Sequence, residues 1–174
     1  MSNDARWYNH SMEERTISSI PELETYAKGV LESLSGLPHE GAVVLALAGD
    51  LGAGKTAFVK VLAKELGITE HITSPTFVIM KTYEINPVAR NQKPESTDPG
   101  ATGFGFRVLT HIDAYRLESA HELEVLGWKE LLADPDALIA IEWPEKVPGA
   151  IPQNAHHFVF EHVDETTRKI TQTK

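Results

Sequence analysis

No cysteine occurs in the 174 residues, which excludes a zinc ribbon, a Cys-ligated iron-sulfur centre, a disulfide framework and a thiol nucleophile. Basic residues are few: 16 Lys and Arg against 25 Asp and Glu leave a formal net charge of -9. That sign repels a phosphate backbone, so the sequence predicts no direct nucleic-acid binding by this chain alone. Long apolar runs are missing as well. The longest, Ala42 to Ala48, falls far short of the roughly 20 residues that cross a bilayer as a helix. The opening M-S-N-D-A-R-W-Y-N-H has no apolar stretch of the kind found in export signals. The expectation is a cytoplasmic chain with no membrane contact. What is present is ordinary for a globular protein: 41% hydrophobic and 24% charged residues, with enough length to bury a core without cross-links.

Apolar spacing places the elements. Leu23, Ala27, Val30, Leu31 and Leu34 recur at helical spacing behind Ser19-x-x-Glu22, with Pro21 in the first turn, which predicts a capped amphipathic helix over Ser19 to Leu34. Gly41 to Ala48, G-A-V-V-L-A-L-A, is a continuous apolar run bounded by glycine and fits a strand buried on both faces. A helix from about Gly54 to Leu66, stopped by Gly67, is expected next. Phe77 to Ile85 and Arg107 to Tyr115 are expected strands. Between them Asn86 to Phe106 collects prolines and glycines and predicts a long hairpin connection. Ser119 to Ala133 is an expected third helix with its own Ser119-x-x-Glu122 box. Leu138 to Glu142 is an expected buried strand, and the tail from His157 to Ile170 an expected hairpin. Hairpins mixed with crossovers predict an α/β class fold: a single three-layer domain, 1–174, with a mixed central sheet flanked by helices and an insertion at 86–106.

Gly49-Asp50-Leu51-Gly52-Ala53-Gly54-Lys55-Thr56 matches G-x-x-x-x-G-K-[ST] at every fixed place. At this composition those four positions coincide by accident about once in 150 to 200 such sequences. The physics demands these residue types. Glycines let the backbone curl until several N–H groups converge on one anion, and the helix that follows adds its positive end. Lys55 carries a mobile cation to the β- and γ-phosphates, and Thr56 offers a hydroxyl to Mg2+. The loop alone leaves the reaction open.

Such a site needs a carboxylate at the carboxyl end of a neighbouring strand. Asp113, in H-I-D-A-Y-R, and Glu142, closing L-I-A-I-E before Trp143-Pro144, occupy such positions. Each is also what an ordinary solvated strand end or helix cap looks like. Thr73-Ser74-Pro75-Thr76-Phe77 predicts a rigid turn whose hydroxyl could meet the γ-phosphate or metal. Trp143 packs or stacks beside Glu142, and His111 either orders a carboxylate or is a satisfied strand residue.

Taken together, G-D-L-G-A-G-K-T, S-P-T-F at Ser74 to Phe77, H-I-D-A-Y-R-L at His111 to Leu117 and E-W-P at Glu142 to Pro144 resemble the TsaE (YjeE-type) ATPase family of tRNA threonylcarbamoyladenosine modification. The resemblance covers roughly Ile17 to Pro144. It implies a small ATPase that takes ATP with Mg2+ and acts in a complex with the TsaD and TsaB proteins. It further implies that Lys55 and the loop from Asp50, Leu51, Gly52, Ala53 and Gly54 to Thr56 and Ala57 hold the phosphates. By the same resemblance Thr56 and Glu142 ligate Mg2+, Asp113 and Thr76 support hydrolysis, Trp143 flanks the nucleotide, and Glu22 lies near the adenine. The family usually joins its two hairpin strands by a short turn, so the 86–106 insertion is a departure, read here as a tolerated surface loop.

Two other functions compete. A small-molecule kinase needs arginines over the transferring phosphoryl group, whereas this chain has six arginines and no paired lid among them. A nucleotide-dependent binding module would keep the loop without needing Asp113 or Glu142. No guanine-reading Asn-Lys-x-Asp segment is present.

Overall fold

The computed structural model describes residues 13–35, 39–75, 78–85 and 104–173. Among these described residues seven strands form one sheet in the order β1-β7-β6-β2-β5-β4-β3. They are β1 (Glu13–Ile17), β2 (Val43–Gly49), β3 (Met80–Glu84), β4 (Val108–Asp113), β5 (Ala137–Glu142), β6 (His156–His162) and β7 (Arg168–Thr173). The helices are α1 (Ile20–Ser35), α2 (Lys55–Glu65), α3 (Ala120–Val125) and α4 (Trp128–Leu132).

The centre of the sheet is parallel and its margins are antiparallel. β2 pairs in parallel with β5 and with β6, and β4 pairs in parallel with β5. β3 closes one side on β4, while β7 and β1 extend the other. This is the expected mixed sheet. The alternation of β2 splits its side chains between two cores: Val43, Leu45 and Leu47 face α1 and α2, and Val44 and Ala46 join Ile139, Ile141 and Trp128 on the opposite face. A strand covered on both faces must be apolar throughout, which is why its sequence shows no period of two.

α1 buries Leu23, Ala27, Val30, Leu31 and Leu34, the five positions the spacing singles out. Ser19 caps it as the box predicts, its hydroxyl accepting from Glu22 N at 3.4 Å, while the Glu22 carboxylate reaches one residue further back and accepts from Ser18 N at 2.8 Å and from the Ser18 hydroxyl at 3.0 Å. α2 is pinned by Phe58, fully buried, with its ring 5.6 Å from Phe158 and 5.5 Å from Phe160. Truncating it would cost about 3–5 kcal/mol, so the helix that carries Lys55 and Thr56 is held against β6.

Two expectations are corrected. The predicted helix over Ser119 to Ala133 is two short helices, α3 and α4, because Gly127 adopts φ +82 and the chain turns at Leu126-Gly127. The Glu122 box does form, accepting from Ser119 N at 3.1 Å. The strand predicted from Phe77 begins at Met80. Before it Ile79 takes φ +66, and Val78 N and Ile79 N both donate to Pro75 O.

Thr76, Phe77 and most of the 86–106 connection lie outside the described residues. The base of that connection is a hairpin end, with Ile85 N donating to Arg107 O at 2.9 Å. Glu84 pairs with Val108 there, whereas Met80 pairs with Ile112 beside Asp113. The insertion therefore leaves the sheet at the end opposite Asp113. Among the described residues, no helix is long and apolar enough to cross a membrane.

Candidate nucleotide site

β2 delivers its chain directly into the phosphate loop. Gly49 takes φ +135, and a Cβ placed there would stand 2.3 Å from Phe160 O of the paired strand β6, so only glycine lets the two backbones run together. Gly52 at φ +79 and Gly54 at φ +109 continue the curl. Ala53 N donates to Asp50 O at 3.1 Å, tightening the turn, and Leu51 forms its 86% exposed tip. α2 opens at Lys55, and its first intrahelical bond is Phe58 N to Gly54 O at 2.9 Å. The N–H groups of Lys55, Thr56 and Ala57 thus belong to the unpaired first turn, the positive end of the helix.

Lys55 lies back across this cradle. Its Nζ donates to Gly49 O at 2.5 Å and Asp50 O at 2.8 Å, and sits 3.9 Å from the centroid of the Trp143 ring. Burial holds its pKa below the ordinary lysine value, opposed by the negative charges of Glu142, Glu145, Asp113 and Asp50. Trp143 reaches that place because Trp143 N donates to Leu47 O across the β5–β2 pair, and its own backbone is left-handed at φ 60, ψ 49.

Across the sheet the two predicted carboxylates come side by side. Asp113 and Glu142 are register partners at the ends of β4 and β5, and both are buried. Asp113 accepts from Ser74 Oγ at 3.0 Å and Tyr115 N at 3.1 Å. Glu142 accepts from Thr56 Oγ1 at 2.8 Å on Oε1 and 3.0 Å on Oε2. It also meets His111 Nε2 at 2.8 Å.

These residues fit a magnesium ion. The donors are hard oxygens, and two cis ligands of an octahedral Mg2+ at about 2.05 Å stand about 2.9 Å apart, the separation seen between the Thr56 hydroxyl and the Glu142 carboxylate. Among the described residues no group of three or more His, Cys, Asp or Glu could hold a metal ion on its own. A triphosphate brought beside two buried carboxylates would be repelled without a divalent cation between them.

A cavity of about 390 Å3 opens beside Gly52, Ala53 and Gly54. Ile17, Leu23, Phe160 and Ile170 give it apolar walls, and Ser18, Thr166 and Arg168 a polar margin. Composition and local motifs missed Phe160, Thr166 and Arg168, because the β6–β7 hairpin reaches the loop only through the pairing of β6 with β2. The nearest available signal was Gly49 itself, a glycine at a strand end where another backbone must pass. Glu22 is placed elsewhere: it caps α1 and lines a separate groove of about 510 Å3 between β1 and α1 with Tyr26 and Gln172. Thr76 lies outside the described residues.

The family model for Threonylcarbamoyl adenosine biosynthesis protein TsaE matches residues 18–170. A Bacillus subtilis relative, tRNA threonylcarbamoyladenosine biosynthesis protein TsaE, is 35% identical over 159 residues, covering 91% of this chain and 83% of that protein. The protein of the same name from Borreliella burgdorferi is 38% identical over 111 residues, 64% of this chain and 66% of that protein, so the match spans just under two thirds of its length. In three dimensions the chain is similar to the crystal structure of Bacillus subtilis YdiB, with a TM-score of 0.62, 25% identity, and coverage of 95% of this chain and 87% of that one.

Proposed function

The chain belongs to the TsaE family of threonylcarbamoyl adenosine biosynthesis proteins, and on that premise we propose that it is a Mg2+-dependent ATPase serving tRNA threonylcarbamoyladenosine formation together with TsaD and TsaB. The observation that carries the reading is the 2.8 Å contact between Thr56 Oγ1 and Glu142 Oε1, which ties the phosphate loop to a carboxylate across the sheet.

The first-turn amides of α2 and the curled loop receive the triphosphate, and Lys55 leaves its carbonyl partners for the β- and γ-phosphates. The purine and ribose take the cavity beside Gly52 to Gly54, against Phe160 and Ala57. Thr56 and Glu142 would hold Mg2+, which when bound would supply the positive charge that offsets the phosphate oxygens. Asp113, fixed by Ser74 and Tyr115 N, orients the attacking water, and Thr76 assists. Trp143 flanks the phosphates.

Lys55 is the one cation that the phosphate loop itself carries, and the Arg168 guanidinium is spent on Asp164 O and Thr167 O. From the described loop and cavity the transition-state charge therefore receives thin support, and hydrolysis is slow until a partner completes the site. The chain is one P-loop domain, the ends of its 86–106 connection leaving the sheet between Ile85 and Arg107, away from Asp113, and the working compartment is the cytoplasm. The test is phosphate release. It should require Mg2+, stay slow in the isolated chain and rise on addition of TsaD and TsaB. Rapid release by the chain alone, or phosphoryl transfer to an added metabolite seen by phosphorus NMR, contradicts the reading.

A further inference from the structure

We propose that His111 is a positioning residue that fixes the Glu142 carboxylate for the metal, an inference that rests on the reading of Thr56 and Glu142 as the Mg2+ ligands. His111 stands on β4 opposite Ala140 of β5, two residues before Glu142, and its side chain is fully enclosed. Nε2 lies 2.8 Å from Glu142 Oε1. A carboxylate offers only acceptors, so the ring nitrogen that faces it is the donor. Nδ1 is also buried and, among the described residues, has no hydrogen-bond partner. An imidazole used only as filling would leave two polar atoms to satisfy, where leucine leaves none. The contact with Glu142 is what this ring provides that an apolar side chain does not.

The distribution of donors gives the contact its use. His111 Nε2 and Thr56 Oγ1 both meet Oε1 at 2.8 Å, whereas among the described residues Oε2 receives only the longer 3.0 Å contact from Thr56. One carboxylate oxygen thereby carries both short contacts, and the other is left available to a cation. A donor behind a metal-ligating carboxylate sets its rotamer and its basicity, and losing such a partner typically lowers metal affinity 10–100-fold. His111 touches neither phosphate nor the reacting oxygen. It acts through Glu142.

The test compares His111→Asn, too short to reach Oε1, with His111→Gln, whose amide can. ATP affinity is measured by calorimetry with EDTA and with Mg2+, on the full chain. His111→Asn should keep metal-free affinity within about twofold, lose tenfold or more of the Mg2+-dependent gain, and be rescued in large part by His111→Gln. A gain in folded His111→Asn equal to wild type overturns the proposal. So does a folded His111→Gln as defective as His111→Asn. A wild-type protein with no Mg2+-dependent gain overturns the metal reading as well, and is told apart because Glu142→Ala then also matches wild type. Nitrogen-15 NMR of the unsubstituted protein decides the contact even if both variants fail to fold. The Nε2–H tautomer of His111, released in Glu142→Ala, supports the proposal, and an Nδ1–H tautomer overturns it.

Discussion

Thr56 and Glu142 are separated by 86 positions in the chain and meet at 2.8 Å. Glu142 is at the same time the register neighbour of Asp113, so two buried carboxylates lie together where the parallel strands end. Neutralising one relieves their repulsion while keeping its hydrogen bonds. Glu142→Gln is therefore expected to melt at or above the wild-type temperature while losing Mg2+-dependent hydrolysis on the order of a hundredfold or more. Calorimetry and a phosphate-release assay check the pair of outcomes. A less stable variant that keeps its turnover would remove Glu142 from the site.

Lys55 gives a pH dependence of stability whose sign follows from its burial. Its folded-state pKa is lowered, so between that value and the ordinary lysine value the unfolded chain binds more protons, and stability rises with pH across that window. Below the window the charged amine is held at a penalty. Lys55→Met should abolish this rise, be at least as stable as wild type near neutrality, and bind ATP on the order of a hundredfold more weakly, having lost the cation aimed at the β- and γ-phosphates. Denaturant melts from neutral to alkaline pH and ATP titration read both effects.

Two glycine substitutions separate steric closure from backbone preference. Gly49→Ala would drive a methyl to 2.3 Å from Phe160 O at φ +135, and a loss above about 3 kcal/mol is expected because neither strand can withdraw. At Gly127, φ is +82 and the nearest atom, Glu130 Oε2, is 3.6 Å away. There Gly127→Ala should lose only about 1 kcal/mol, the strain of a left-handed alanine. Equal losses in chemical denaturation would mean that the β2–β6 approach is looser than it stands here.

Trp143 should report nucleotide arrival. Its ring holds Lys55 Nζ 3.9 Å from its centroid and packs on Tyr115 at 5.1 Å between centroids. When Lys55 turns to phosphate that cation leaves the ring, so tryptophan emission should change on ATP addition. Trp143→Phe should abolish the change and Trp128→Phe should not. An unchanged signal in Trp143→Phe would place the response elsewhere.

Much of this site could be read from residue order alone. The phosphate loop is local: eight consecutive residues whose types are dictated by one anion, preceded by an apolar strand and followed by an amphipathic helix. Asp113 and Glu142 were visible because each ends a strand, although only the sheet order makes them neighbours. The partners of the cavity, Phe160 and Arg168, were invisible for the same reason, since β6 joins β2 across more than a hundred residues of chain. The break at Gly127 is hidden in the sequence because Leu123, Leu126 and Leu131 keep a helical rhythm through it. His111 stood as a choice between a core residue and a carboxylate's companion, and it is buried and bonded to Glu142.

The central claim is that a divalent ion joins the phosphate loop to Glu142 around a bound triphosphate. Crystals grown with Mn2+ and a non-hydrolysable ATP analogue test it directly, through the anomalous signal of the metal. A peak between Thr56 Oγ1 and Glu142, with phosphates on the first turn of α2, is the expected result. A metal bound away from both residues, or a nucleotide seated in the groove between β1 and α1, would contradict it.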